Sequence, residues 1–208
     1  MQTDPPFDLL ETLRWAPAEG FFLLERHLGR LQASARHFGF HCPIPEVRAA
    51  LERSVTSADR ALRVRLLVDR EGGIRTEASP LAQTLGVMRV GLAVRPIDPT
   101  DPFLFHKTTN RIQQERERSA AYDEIVLWNP DREITEAMTA NIVVEVDGRA
   151  VTPPVECGLL AGTLRAELLA AGEIHEARIP VDRLLNAPRF WLINSVRGSR
   201  PARLSGPA

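Results

Sequence analysis

The sequence predicts an α+β protein of two lobes. Three observations carry that reading. Strand-like segments flank two amphipathic helices in the first half of the chain. Residues 96–102, PIDPTDP, then place three prolines in seven positions, a composition that favours extended chain over helix. Beyond them, short strands separated by turn residues dominate. The expected division is a small amino-terminal lobe over residues 1–98 and a larger, β-rich lobe over 99–208.

Residues 7–15, FDLLETLRW, read as a strand, and 21–24 as its hairpin partner across a Pro17–Gly20 turn. In 25–38, Leu28, Leu31, Ala35 and Phe38 recur at helical spacing; residues 45–57 repeat the pattern with Val47, Leu51 and Val55. Residues 61–69 alternate as a strand, and Glu71-Gly72-Gly73 turns the chain into a partner over 74–78. Residues 85–94 form another strand. The 96–102 segment reads as a linker, and 109–121 as a charged helix whose Glu115–Arg118 run is a solvated face. Strands follow at 124–128, 133–137, 141–146 and 150–152. Gly162 opens a helix to about residue 171, and strands at 173–180 and 189–195 enclose a short helix near 181–185.

Composition narrows the function classes. The formal net charge of −1 argues against a protein that coats nucleic acid or an acidic membrane. No apolar run approaches the ~20 residues of a membrane-spanning helix, and the first residues lack a signal-peptide pattern. A cytoplasmic location is therefore expected. Cys42 and Cys157 make neither a disulfide framework nor a metal quartet, so no metal is expected. The 26 basic residues comprise 25 arginines and one lysine, Lys107. Arginine bias explains the 25. It also isolates the one side chain that can act as an amine, because a guanidinium neither loses its proton nor forms a Schiff base.

Four other features pair with that amine. The turn Gly158–Gly162 enters a helix, whose first amides and dipole suit phosphate; read alone it is an ordinary loop-to-helix junction. Glu136, near the end of a short strand, is either an edge carboxylate or the acid that a cationic ring nitrogen needs. Arg30, one turn after His27, is a surface charge or a phosphate fork. Asn194-Ser195-Val196-Arg197-Gly198 follows an apolar strand and is a plain turn or an anion site. An amine, an acid, a phosphate turn and spare arginines together are the parts that pyridoxal phosphate chemistry requires.

Their order resembles the fold-type IV pyridoxal phosphate enzymes, the class IV aminotransferase family, over most of the chain. Lys107-Thr108-Thr109-Asn110-Arg111 resembles the cofactor-lysine motif. Thr135-Glu136 followed by Asn141-Ile142 resembles the acid strand, and Gly162-Thr163-Leu164-Arg165 the phosphate turn. His27-Leu28-Gly29-Arg30-Leu31 resembles the motif whose arginine also meets the phosphate. The resemblance implies a two-lobe D-amino acid aminotransferase-like fold and a homodimer. It implies that Lys107 is catalytic and carries the cofactor, that Glu136 pairs with its ring nitrogen, that Asn141 also binds the cofactor, and that Arg30, Thr163, Leu164 and Ser195 hold its phosphate. Asn194 and Arg197 are implied on the substrate side.

Within the family, Ile112 stands five residues after Lys107, where branched-chain aminotransferases usually have tyrosine. That feature and the 7–15 and 194–198 segments resemble 4-amino-4-deoxychorismate lyases. The stretch before Phe7 is shorter than family members commonly carry, which loosens the inference about substrate. The activities to weigh are the lyase reaction of folate biosynthesis and transamination of branched-chain or D-amino acids. A non-catalytic binding module on the same fold is the third; joint retention of Lys107, Glu136 and Arg30 argues against it.

Overall fold

The computed structural model describes residues 6–82 and 86–205. Two compact units emerge: residues 6–82 with 106–110, and residues 86–105 with 111–205. The contact division thus falls near residue 83, upstream of the 98/99 boundary expected from the prolines. The segment around Lys107 returns to the first unit.

In the first unit, β1 (Leu9–Ala16), β2 (Gly20–Phe21), β3 (Leu62–Val68) and β4 (Ile74–Pro80) form an antiparallel sheet in the order β2-β1-β3-β4. The helices α1 (Leu24–Phe38) and α2 (Ile44–Arg53) cover it. The hairpin partner expected over 21–24 is only two residues long, because α1 starts at Leu24. Gly39 ends α1 in the left-handed region at φ 70°, its amide donating to the Ala35 carbonyl, a conformation that costs glycine least. Leu9 and Leu13 of β1, Leu28 and Leu31 of α1, Val47 and Leu51 of α2, and Val64 and Leu66 of β3 make one core. The second helix stops at Arg53, short of residue 57.

In the second unit, eight strands lie in the order β10-β9-β8-β11-β12-β5-β6-β7. They are β5 (Met88–Leu92), β6 (Glu124–Trp128), β7 (Ile134–Ala137), β8 (Asn141–Val146), β9 (Arg149–Thr152), β10 (His175–Glu176), β11 (Phe190–Asn194) and β12 (Gly198–Leu204). The β10–β9, β12–β5 and β5–β6 pairs are parallel; the others are antiparallel. Edge strand β7 also meets β8, so the sheet curls back on itself. Val90, Val126, Ile142, Val144 and Leu192 fill one face. Ile97, Leu104, Ile125 and Leu127 pack on the other side. This double burial explains why β6 reads as a continuous apolar run after Glu124.

Several expectations change here. The 96–102 segment is no free linker. Ile97 is 1% exposed, its amide donates to Trp128, and the Gln113 side chain clasps Asp98 and Asp101. The helix expected over 109–121 is one turn, α3 (Ile112–Glu115). Charged residues without an apolar face do not hold a longer helix. Within that run Glu117 is buried, accepting from the Val94 amide and Arg95, so the run is not wholly a solvated face. The strand expected over 173–180 shrinks to β10. The strand expected over 85–94 is β5; Leu85 lies outside the described residues. Beyond Gly198 the chain adds an unanticipated strand, β12, between β11 and β5. Its Pro201 argues against a central strand, yet Ala202 and Leu204 pack on the core. The helices α4 (Thr163–Ala170) and α5 (Val181–Leu185) fall where the pattern places them.

Candidate active site

In the first unit, Leu9, Glu11 and Leu13 share one face of β1, because side chains alternate along a strand. Leu9 and Leu13 enter the core, and Glu11 goes with them at 1% exposure. Such a carboxylate needs cationic partners, and α1 supplies two. Arg30 donates from Nε to Oε1 at 2.8 Å and from Nη2 to Oε2 at 2.6 Å; His27 Nδ1 lies 2.7 Å from Oε2. Burial pushes the Glu11 carboxyl upward, but the Arg30 charge, its hydrogen bonds and His27 outweigh burial and hold it at about 2. Arg30, expected at a phosphate, therefore has two of its donors locked onto a carboxylate. Sequence reasoning missed Glu11, although a charge in the apolar register of a strand was the available signal.

Lys107 lies beside the start of the same strand. Its carbonyl accepts from the Leu10 amide at 2.9 Å, and the Thr109 amide donates to Asp8 at 2.9 Å. Thr108 bridges to Leu9. The lysine backbone is thus fixed to β1 at the Leu9–Leu10 level, just before Glu11 on that strand. His106, next to Lys107, is 3.0 Å from the Ser34 hydroxyl through Nδ1 and stacks on His37 with ring centroids 4.2 Å apart. Burial, then the His37 charge, lowers the His106 pKa.

The second unit gathers the acid strand and the phosphate turn. Glu136 of β7 is 6% exposed. Its Oε2 accepts from the Leu160 amide at 3.2 Å, and Asn141 Nδ2 donates to the Leu160 carbonyl at 2.8 Å. The two expected residues therefore hold one residue, Leu160, of the turn ahead of α4 from both sides. Gly162 is required there, since a Cβ would overlap Asn141 Oδ1. Gly162 precedes the first turn of α4, which starts at Thr163 and Leu164, and both of those residues are buried. Arg165 anchors the helix from beneath, donating to the Pro153 carbonyl and to Glu176.

Asn141 pairs with Ile193 of β11, which places Ser195, 7% exposed, at the same end of the sheet. Asn194 is committed: its Oδ1 accepts from the Val196 and Arg197 amides at 3.1 and 2.8 Å, and its Nδ2 donates to the Thr139 carbonyl. It shapes the turn that presents Ser195 and Arg197. Cys157 and Cys42 form no disulfide. Burial, then Glu133, pushes the Cys157 thiol up to about 12. Among the described residues no helix is long and apolar enough to cross a membrane.

A small antiparallel unit, a large curled mixed sheet and a glycine turn leading into a helix beside a buried acid define a class of enzyme. Residues 8–204 match the amino-transferase class IV family. The chain belongs to that family of pyridoxal phosphate-dependent enzymes and has its fold-type IV architecture. A Schizosaccharomyces pombe protein provisionally assigned as an aminodeoxychorismate lyase is 32% identical over 189 residues, covering 85% of this chain and 81% of its own. A Mesorhizobium loti protein, provisionally assigned as an amino-acid aminotransferase, superposes with a TM-score of 0.90 at 36% identity. That match covers 96% of this chain and all of the other. The 4-amino-4-deoxychorismate lyase of Pseudomonas aeruginosa has the same fold, with a TM-score of 0.79 at 24% identity over 95% and 82% of the two chains.

Proposed function

We propose that this chain binds pyridoxal phosphate and converts 4-amino-4-deoxychorismate to 4-aminobenzoate and pyruvate. The observation that carries the cofactor reading is Glu136. It is a buried carboxylate tied through Leu160 to the turn that opens α4. The donor set fits the group: an acid for the ring nitrogen, a helix start entered through Gly162 for the phosphate, and a single lysine for the aldehyde. The S. pombe relative and Ile112 support the lyase reading over transamination.

When bound, the cofactor supplies an electron sink for the pair left by proton removal. In this reading Lys107 Nζ takes the proton from the amine-bearing carbon, a step for which a positioned base contributes about 10²–10⁴-fold. Glu136 keeps the ring nitrogen protonated through its negative charge. The Thr163 and Leu164 amides, the Ser195 hydroxyl and Arg30 would hold the phosphate. Arg197 faces a substrate carboxylate. Asn194 stands beside it on the substrate side and also braces the turn through the Val196 and Arg197 amides. The reaction eliminates the enolpyruvyl group as pyruvate; it needs no oxidant and consumes no water, and aromatisation drives it.

The M. loti likeness favours a second reading, transamination of an amino acid by the same residues. Incubating purified protein with aminodeoxychorismate, beside Lys107→Ala, tests the first. Release of aminobenzoate and pyruvate, lost in the variant, is expected. Rapid conversion of added cofactor to pyridoxamine phosphate by amino acids, with no aminobenzoate, would replace it by the second. A homodimer in a cytoplasmic location completes the proposal; sedimentation at the mass of two chains supports the first of these.

A further inference from the structure

The turn at Ser195 is tied to a buried acid that neither reading above uses. Glu124 opens β6 and shares its face with Val126, so it points into the core at 7% exposure. Its carboxylate accepts from Thr139 twice: from the amide at 3.2 Å, and from the hydroxyl. The Thr139 carbonyl in turn accepts from Asn194 Nδ2 at 3.2 Å. Asn194 Oδ1 then collects the Val196 and Arg197 amides. A continuous path of hydrogen bonds therefore runs from Glu124 through Thr139 to the 194–197 turn. The same Thr139 lies three residues after Glu136, on the link between β7 and β8. Arg111 fixes that link a second time by donating to the Met138 carbonyl.

We propose that Glu124 and Thr139 are positioning residues that set the 194–197 turn, and with it Ser195 and Arg197, against the cofactor phosphate and the substrate. The inference rests on the pyridoxal phosphate reading. A hydroxyl and an amide on one residue let a single carboxylate fix both the direction of the Thr139 carbonyl and the height of the link. Burial pushes the Glu124 carboxyl upward; Thr139, then the Arg200 and Arg111 charges, oppose that push. Arg200 is itself buried, with Nη1 on the Met88 sulfur at 3.4 Å. Thr139 engages both oxygens of the acid, its amide on Oε2 and its hydroxyl on Oε1.

The test compares Thr139→Val, Thr139→Ser, Glu124→Gln and the double variant Glu124→Gln/Thr139→Val. Pyridoxal phosphate is titrated by absorbance, and the bound phosphate is followed by phosphorus NMR. Thr139→Val and Glu124→Gln are each expected to weaken cofactor affinity about ten-fold, the loss of one charge-assisted hydrogen bond. The double variant should be no worse than either alone, because both cut one path. Thr139→Ser, which keeps the hydroxyl, should retain the wild-type affinity and phosphate resonance. Unchanged affinity and resonance in a folded Thr139→Val, or equal damage from Thr139→Ser, would overturn the proposal. Should Thr139→Val fail to fold, Glu124→Gln carries the same comparison. If the wild-type chain binds no cofactor, the functional reading falls separately. The positioning role is then read from hydrogen exchange at residues 194–197, which must be faster in Thr139→Val than in Thr139→Ser.

Discussion

Replacing Glu11 by Gln removes a charge from the core of the first unit while keeping its shape. In the wild type, the carboxyl is held at about 2 against its ordinary 4.5. That gap corresponds to about 3 kcal/mol of stability, which agrees with the cost of breaking a buried ion pair by removing one partner. The sign follows from the depressed value. The contribution is complete above pH 4.5, falls as the unfolded carboxyl takes up its proton, and is nearly gone once the pH has dropped through about 2. Gln carries no charge at any pH, so the stability gap between the proteins should be about 3 kcal/mol at pH 7 and below about 1 kcal/mol near pH 2. Urea unfolding reports it through Trp15, which packs on this core, with Trp128 and Trp191 replaced by Phe in both proteins. A gap below about 1 kcal/mol at pH 7, or one that does not narrow with acid, would refute the reasoning. The variant should also bind pyridoxal phosphate more weakly, since Glu11 fixes two donors of the Arg30 fork.

Other outcomes follow from single contacts. Borohydride reduction of the protein with pyridoxal phosphate should place one adduct on Lys107, and Lys107→Arg should abolish it at unchanged charge; mass spectrometry of the peptides decides. Gly162→Ala should destabilise the protein by about 1–3 kcal/mol through overlap with Asn141 Oδ1. It should also weaken cofactor binding, and a thermal melt with a cofactor titration would show both. At pH 8, iodoacetamide should alkylate half-buried Cys42 well before Cys157, whose thiol is buried and pushed up to about 12. Equal labelling of the native protein would contradict that burial.

Much of the site was legible because its chemistry restricts residue type. Only a lysine supplies the amine, and the chain has one. A turn that meets a side chain at van der Waals limits requires glycine, and Gly162 stands there. Glu136 and Asn141 were legible by motif, yet their shared grip on Leu160 was not, because the partner is a backbone group 19 or more residues away. The bonds that Asn194 makes were not legible for the same reason: its partners are main-chain atoms, and main-chain atoms leave no mark in a sequence. Glu11 and Glu124 were passed over although both interrupt an apolar register, since the pattern shows burial without showing what neutralises it.

Local patterning determined β1, α1, β3, β6, β8, α4 and β11 within a few residues, through one apolar face at a fixed period in elements such as α1 and through a continuous apolar run in β6. It failed for the 109–121 helix, for β10 and for β12. Those segments owe their conformation to neighbours: Glu117 turned inward to Arg95, a two-residue ladder on β9, and a proline-containing strand held between two others. The sequence by itself determined the class of chemistry, because an amine, an acid and a phosphate turn are properties of residue type and short spacing. Only the tertiary structure decided which carboxylate holds Arg30 and which acid ties down the Ser195 turn. Burial converts those ordinary side chains into committed partners, and burial is set by strands far apart in the chain.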